Sequence, residues 1–160
     1  MVSRDGVHKC IAVWLYDRRP VNGAGFVAFG QHLLTPTDDP RVTPMIEYQK
    51  KVLTALGINN GPSHGEVKWF NGEPCLVEVG ARCHGAEGFW ASVADAVHGY
   101  NQVGATIQAY CRPQEFQALP SVCDKRKAYG RLKFIISYDE GLLKSISPYA
   151  LAEIKGMSSY

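Results

Sequence analysis

Apolar and polar positions along the first third of the chain alternate in short strand-like runs broken by turn signals. Asp5-Gly6 is a hairpin-turn dipeptide. The run after it, His8 to Tyr16, is rich in strand formers (Cys10, Ile11, Val13, Trp14, Leu15). Asp17 to Gly25 holds Pro20, Asn22 and Gly23 and reads as a loop, Phe26 to Leu34 as a second strand, and Thr35 to Pro40 as another loop. The period then changes. Met45, Tyr48, Val52 and Leu56 recur at three- and four-residue steps, with Thr43 placed to cap a helix, Pro44 at its first position and Gly57 as its stop. Two further strands, His64 to Phe70 and Pro74 to Gly80, flank Asn71-Gly72, and Gly85 to Gly88 is a glycine-containing loop. The spacing of Trp90, Val93, Val97, Tyr100, Val103 and Ile107 predicts one long helix from Phe89 to Tyr110, ended before Pro113. Arg131 to Tyr138 reads as a strand, Glu140-Gly141 as a turn, Leu142 to Ile146 as a strand pairing back, and the residues from Tyr149 as helical. Strands that come in hairpins, mixed with helices, give an α+β class with a mainly antiparallel sheet and packed helices.

Composition narrows the function classes. Of 160 residues, 46% are hydrophobic, enough for a core. A net charge of +2 is too weak a bias to argue for nucleic acid, and the basic residues are scattered apart from Lys125 to Lys127, read as a solvated loop. No apolar run approaches the roughly 18 residues of a membrane span. The five cysteines (Cys10, Cys75, Cys83, Cys111, Cys123) are odd in number, widely spaced and without a CxxC pair. That pattern indicates neither a zinc ribbon nor a disulfide framework and points to free thiols in a reducing cytoplasm. The N-terminus lacks the apolar segment of a secretory signal.

The chemistry concentrates between Gly61 and Gly85. Glu66 and Glu78 each lie in strand-like apolar surroundings, where a lone carboxylate is costly to bury. A divalent cation is one reason to keep two there; an exposed hairpin with solvated glutamates is the other. Register separates the two. A plain two-residue turn at Asn71-Gly72 sets Glu66 opposite Val77 and sends Glu78 to the other face. One extra residue, as a longer loop or a bulge, sets Glu66 opposite Glu78 and Lys68 opposite Leu76. It also collects Val67, Trp69, Cys75, Val77 and Val79 on the second face. Because a one-residue slip flips every side chain, the apolar segregation selects this register. His64 and Arg82 extend the polar face. His64 reads either as a positioning group for substrate or phosphate or as a structural histidine. Trp14, Trp69 and Trp90 read as core, and Cys83-His84 lacks the partners of a nucleophile or zinc site.

The pattern Gly-x-x-His64-x-Glu66, then apolar-apolar-Glu78-x-x-x-Arg82-x-x-Gly85, resembles the C-terminal part of the ATP-grasp fold, most nearly the carboxylate–amine ligase branch that includes bacterial L-amino-acid ligases. The resemblance covers residues 8 to 145, including the helix that ends at Ala55-Leu56-Gly57. It implies that Glu66 and Glu78 hold Mg²⁺ (or Mn²⁺) bridging the phosphates of ATP, with His64 beside the nucleotide. It implies that Arg82 contacts phosphate and an acyl-phosphate intermediate, work that suits a planar guanidinium. The implied partners are ATP, a small carboxylate and an amine, amino acids among them, and the implied product is an amide. Gly80 stands where many ATP-grasp enzymes place a ligating asparagine. The family also needs an upstream subdomain with phosphate-binding lysines, a glycine-rich loop and an adenine pocket. Residues 1–160 are therefore expected to form a single incomplete ATP-grasp domain, its C-terminal, metal-binding subdomain. Such a domain is inactive alone and either self-associates or meets a chain supplying the other half. The alternative is a non-catalytic module derived from that fold.

Overall fold

The computed structural model describes residues 1–145. Strand β1 (Val2–Arg4) turns at Asp5-Gly6 into β2 (Val7–Lys9). Both turn residues have positive φ, 50° and 78°, the conformation that a two-residue primed turn requires. The predicted run His8 to Tyr16 is broken at Cys10–Ala12, where the chain leaves this sheet, and β3 begins at Val13.

The predicted loop Asp17 to Gly25 is the main departure from the sequence reading. β3 (Val13–Val21) and β4 (Ala24–Leu34) form one long hairpin through Asn22-Gly23. Register shifts at Asp17/Arg18 and Arg19/Val21 interrupt the ladder, which lets Pro20, with no N–H to give, sit within it. Gly30 pairs with Lys133 of β8 (Arg131–Lys133). A side chain there would come 2.2 Å from the Leu132 carbonyl oxygen, so the close approach of β8 depends on that glycine. The strand predicted over Arg131 to Tyr138 is thus three residues long, and Leu142 to Ser145 form no strand. The readings at Ile146 and from Tyr149 lie outside the described residues.

Helix α1 (Val42–Ala55) starts two residues earlier than Thr43 and Pro44 suggest. Arg41 is its N-cap residue, held by its backbone N–H to the Asp39 carboxylate at 2.8 Å. Gly57, at φ 69°, follows the end as expected. The buried face is Val42, Ile46, Gln49 and Leu53, one residue away from the predicted stripe, and Leu56 is 56% exposed. β5 (Gly61–Pro62) returns to pair with β1, giving a sheet of order β2-β1-β5 beside the β3-β4-β8 sheet. The hairpin β6 (His64–Phe70) and β7 (Glu73–Gly80) stands as a third, two-stranded sheet.

The long helix predicted over Phe89–Tyr110 is two helices. α2 (Phe89–His98) ends at Gly99, whose φ of 85° is left-handed, and α3 (Gln102–Cys111) is restarted by Asn101, whose side chain accepts the Gly104 N–H at 2.9 Å. The break turns α3, so Val103 and Ile107, predicted to be buried, are 45% and 51% exposed, and Ala105 and Ala109 pack inward instead. α4 (Pro113–Ala118) follows. Three apolar clusters hold these parts. Val2 and Ile11 meet Ala105, Ala109 and Phe116; Cys10 and Cys123 meet Val42 and Ile46; Leu33 of β4 meets Ala94 and Val97 of α2. The basic run is more than a solvated loop. Lys127 donates its backbone N–H to Val97, Lys125 receives the His98 ring at 2.8 Å, and Arg126 pairs with Asp38. All five cysteines are free thiols, and no helix among the described residues is long and apolar enough to cross a membrane.

Candidate functional site

The β6–β7 hairpin sets Glu66 directly opposite Glu78. It does so by a bulge and not by a longer loop. Phe70 pairs with Glu73 across the two-residue turn, Val67 with Leu76, and the extra residue is Val77, between Leu76 and Glu78. Two expectations change as a result. Lys68 faces Cys75, not Leu76, and Leu76 takes the apolar place predicted for Cys75, while Val77 is 51% exposed at the bulge. Alternation puts His64, Glu66 and Lys68 on one side of β6 and Gly65, Val67 and Trp69 on the other. The second side faces α1, where the Tyr48 hydroxyl accepts the Leu76 N–H at 3.2 Å and the Gln49 amide lies against Gly65.

The polar side meets the β3–β4 hairpin. Arg18 reaches Glu66 at 3.5 Å, and Arg82, four residues after Glu78, reaches Glu78 at 3.6 Å. Both contacts are long and solvent-exposed, worth little to stability, and each guanidinium keeps donors free. Arg82 is exposed on the same surface as the glutamates and also donates to the Cys83 carbonyl at 3.0 Å. No group of three or more His, Cys, Asp or Glu side chains suited to a metal occurs among the described residues. The donor set fits Mg²⁺ all the same, since that ion takes one or two carboxylates and completes its shell with water and phosphate oxygens.

Beside the carboxylates, the Tyr16 hydroxyl bridges two imidazoles, His64 Nε2 at 3.2 Å and His84 Nε2 at 3.0 Å. A phenol has one proton to donate. One ring therefore accepts it, and the other donates its Nε2–H to the same oxygen. His84 is wedged edge-on against Trp90 at 5.4 Å and against His64 at 4.8 Å. Its backbone N–H is held by Gln102 at 2.8 Å, and the Trp90 indole donates to the carbonyl of Gly85 at 2.6 Å. Burial, then the neighbouring His64 and Arg82, pull the His84 pKa down to about 4. Burial also lowers His64 and raises Tyr16.

His84 is accordingly expected to stay neutral at pH 7 and to titrate only near pH 4 in a proton-detected NMR titration. Its folded pKa lies below the ordinary 6.5 of an unfolded chain, so the unfolded state takes the proton first. The stability tied to His84 is complete above about pH 6.5 and is lost as the pH falls toward 4. The loss is about 1 kcal/mol after solvent screening is allowed for. A His84→Gln variant should flatten that part of the stability–pH curve, and an unchanged curve would remove His84 as its source.

A cleft of ≈ 540 Å³ runs between α1, β6 and β3, lined by Trp14, Tyr16, Glu66, Trp69 and His84. Trp90 is core, as predicted, but Trp14 and Trp69 are only partly buried. Sequence reasoning placed His64, Glu66, Glu78 and Arg82, which the fold brings together. Arg18 falls in the span Asp17 to Gly25 that reads as a loop, and Tyr16, though at the end of a predicted strand, carries no local sign of its histidine partners. The signal available was an aromatic residue, Tyr16, close to the basic pair Arg18-Arg19 at the edge of a strand-like run.

No protein-family model matches the chain. Dapdiamide A synthase of Enterobacter agglomerans is 33% identical over 115 residues, which are 72% of this chain and 26% of that protein. Among solved structures, an L-amino acid ligase from Bacillus licheniformis has the same fold with a TM-score of 0.57 at 22% identity, covering 72% of this chain and 30% of that one. The chain therefore spans well under half the length of either. Taken with the α+β architecture and the paired hairpin carboxylates, these two likenesses relate this chain to the ATP-grasp carboxylate–amine ligases over the part of them that it spans.

Proposed function

We propose that this chain is the metal-binding portion of an ATP- and Mg²⁺-dependent carboxylate–amine ligase. The observation that carries this reading is the cross-strand pair Glu66–Glu78, flanked by Arg18 and Arg82, with Glu66 and Arg18 lining the cleft. Glu66 and Glu78 would hold Mg²⁺ against the nucleotide phosphates. The ion, when bound, neutralises phosphate charge and holds the transferring group in place. Arg82, exposed and only loosely paired, is free to turn from Glu78 to a phosphate oxygen. Arg18 offers a second guanidinium from the opposite wall. His64, held by Tyr16, fixes the inner edge of the same face. In this reading ATP phosphorylates a small carboxylate, and an amine displaces the phosphate to give an amide. The nucleotide-holding portion comes from outside these residues. Exposed apolar side chains on and near the hairpin, among them Phe26 at 78% and Phe70 at 63%, offer a surface for it.

Arg82→Lys tests the assignment. Lysine keeps the charge but loses the two-pronged donor, so turnover of the assembled ligase is expected to drop at least tenfold with folding unchanged. Turnover within twofold of the parent would take Arg82 out of the site.

A further inference from the structure

A second concavity, of ≈ 280 Å³, lies on the β3-β4-β8 sheet. Register builds it from two cross-strand rows. Leu15 pairs with His32 and His32 with Arg131; Asp17 pairs with Gly30 and Gly30 with Lys133. Directly paired residues share a face. Alternation turns that face away from Tyr16, whose hydroxyl meets the two imidazoles of the first site. Gly30, at the middle of the second row, has no side chain, so the floor between Asp17 and Lys133 stays open. Arg19 joins from the far part of β3. Its guanidinium lies over the Phe29 ring at 5.0 Å and forks onto the Asp17 carboxylate at 2.8 and 2.9 Å. Lys133 reaches the same carboxylate at 3.6 Å.

Three cations, Arg19, Arg131 and Lys133, thus line one pocket against a single carboxylate, Asp17. Arg131 and Lys133 stand two residues apart on one face of β8, roughly 7 Å along the strand. Like charges gathered this way repel one another. Asp17 is already shared by Arg19 and Lys133, and Arg131 meets no carboxylate among the described residues. Cations on an edge strand deter unwanted pairing, but that role calls for neither a pocket nor a third cation from two strands away. All three side chains are accessible. Arg19 is 61% and Lys133 56% exposed, and Arg131 is exposed as well.

We propose that this pocket binds a phosphate group. Phosphate presents oxygens on several sides, which suits donors arriving from separate strands. Arg131 can fork onto two of them, Lys133 adds a point charge, and the His32 imidazole adds an N–H. The site lies on the other face of the sheet from Tyr16 and does not rest on the ligase reading.

The test uses the full chain without nucleotide or metal. Inorganic phosphate and methyl phosphate are titrated separately at constant ionic strength, with chloride as the balancing anion. The backbone amides of Gly30, His32 and Lys133 are followed by NMR. Saturable shifts in the millimolar range are expected at these amides. Arg131→Gln should weaken binding about tenfold and Lys133→Gln about threefold, the fork counting for more than the point charge. Neither should lower the thermal midpoint, since each removes one of several crowded, exposed charges. Lys51→Gln, an equal change of charge on α1 outside the pocket, should bind like the parent. Equal affinity for the two probes supports a site for the phosphate end of a larger molecule, and preference for inorganic phosphate supports a site for the free ion. Three results would overturn the site: no saturation with either probe; shifts confined to Gly80 and Arg82, which put the anion at the carboxylate hairpin; or equal weakening by Lys51→Gln and Arg131→Gln, which leaves net charge alone as the cause.

Discussion

Replacing Glu78 by glutamine in the assembled ligase is expected to lower ATP-dependent amide formation by about a hundredfold or more, given that loss of even an outer-shell partner of a metal costs 10–100-fold. The physical argument starts from the hairpin. Glu66 and Glu78 face each other across two strands, and nothing in the fold demands two carboxylates there. Each is met by an arginine at 3.5–3.6 Å in an exposed contact that contributes little. The substitution keeps shape and removes one negative charge from the pair, so stability should hardly change while the Mg²⁺ concentration for half-maximal turnover rises at least tenfold. Glu66→Gln should behave alike. Glu73→Gln, exposed at the turn end of the same strand, should leave both quantities unchanged. Equal turnover for Glu78→Gln and Glu73→Gln would end the metal assignment.

The isolated 160-residue chain is expected neither to hydrolyse ATP nor to bind Mg·ATP more tightly than about 1 mM, a binding free energy near −4 kcal/mol. Two carboxylates give only part of a magnesium shell, and the ion leans on nucleotide phosphates for the rest. Those phosphates must themselves be held. On the surface described here, Arg18 and Arg82, each shared with a glutamate, and Lys68 on the same side of β6 are cations near the carboxylates, and none of them is fixed for a phosphate. Phosphoryl transfer further requires the γ-phosphate in line with its acceptor, and a loosely held nucleotide is not so placed. Calorimetry with Mg·ATP measures this directly. Micromolar binding, or ATP turnover that disappears in Glu78→Gln, would mean that the chain is a self-sufficient enzyme.

Local signals read from the sequence correctly placed several parts of the molecule. Asp5-Gly6 and Asn71-Gly72 make their turns because positive φ is cheap for asparagine, aspartate and glycine. Gly57 follows its helix for the same reason. The opposition of Glu66 and Glu78 was legible because a two-residue period leaves only two choices of face, and the apolar residues chose one. Other features depended on contacts distant in sequence. The bulge fell at Val77 and not in the loop, exchanging Cys75 and Leu76 between faces. The α2–α3 break at Gly99 left an apolar period running smoothly through it, because a period reports spacing and not the direction in which the next helix packs. Gln49, a polar residue in a buried stripe, hides the true face of α1, because the neighbouring stripe of Met45, Tyr48, Val52 and Leu56 is the more regularly apolar in sequence. Arg18 and Tyr16 joined the site only when β3 crossed over β6, 48 residues away for both Tyr16–His64 and Arg18–Glu66. Sequence by itself determined the turns, the hairpin and its paired carboxylates, since those follow from backbone sterics and nearest-neighbour alternation. Tertiary structure decided which second wall meets them, because that depends on how separately folded hairpins and helices bury their remaining apolar faces against one another.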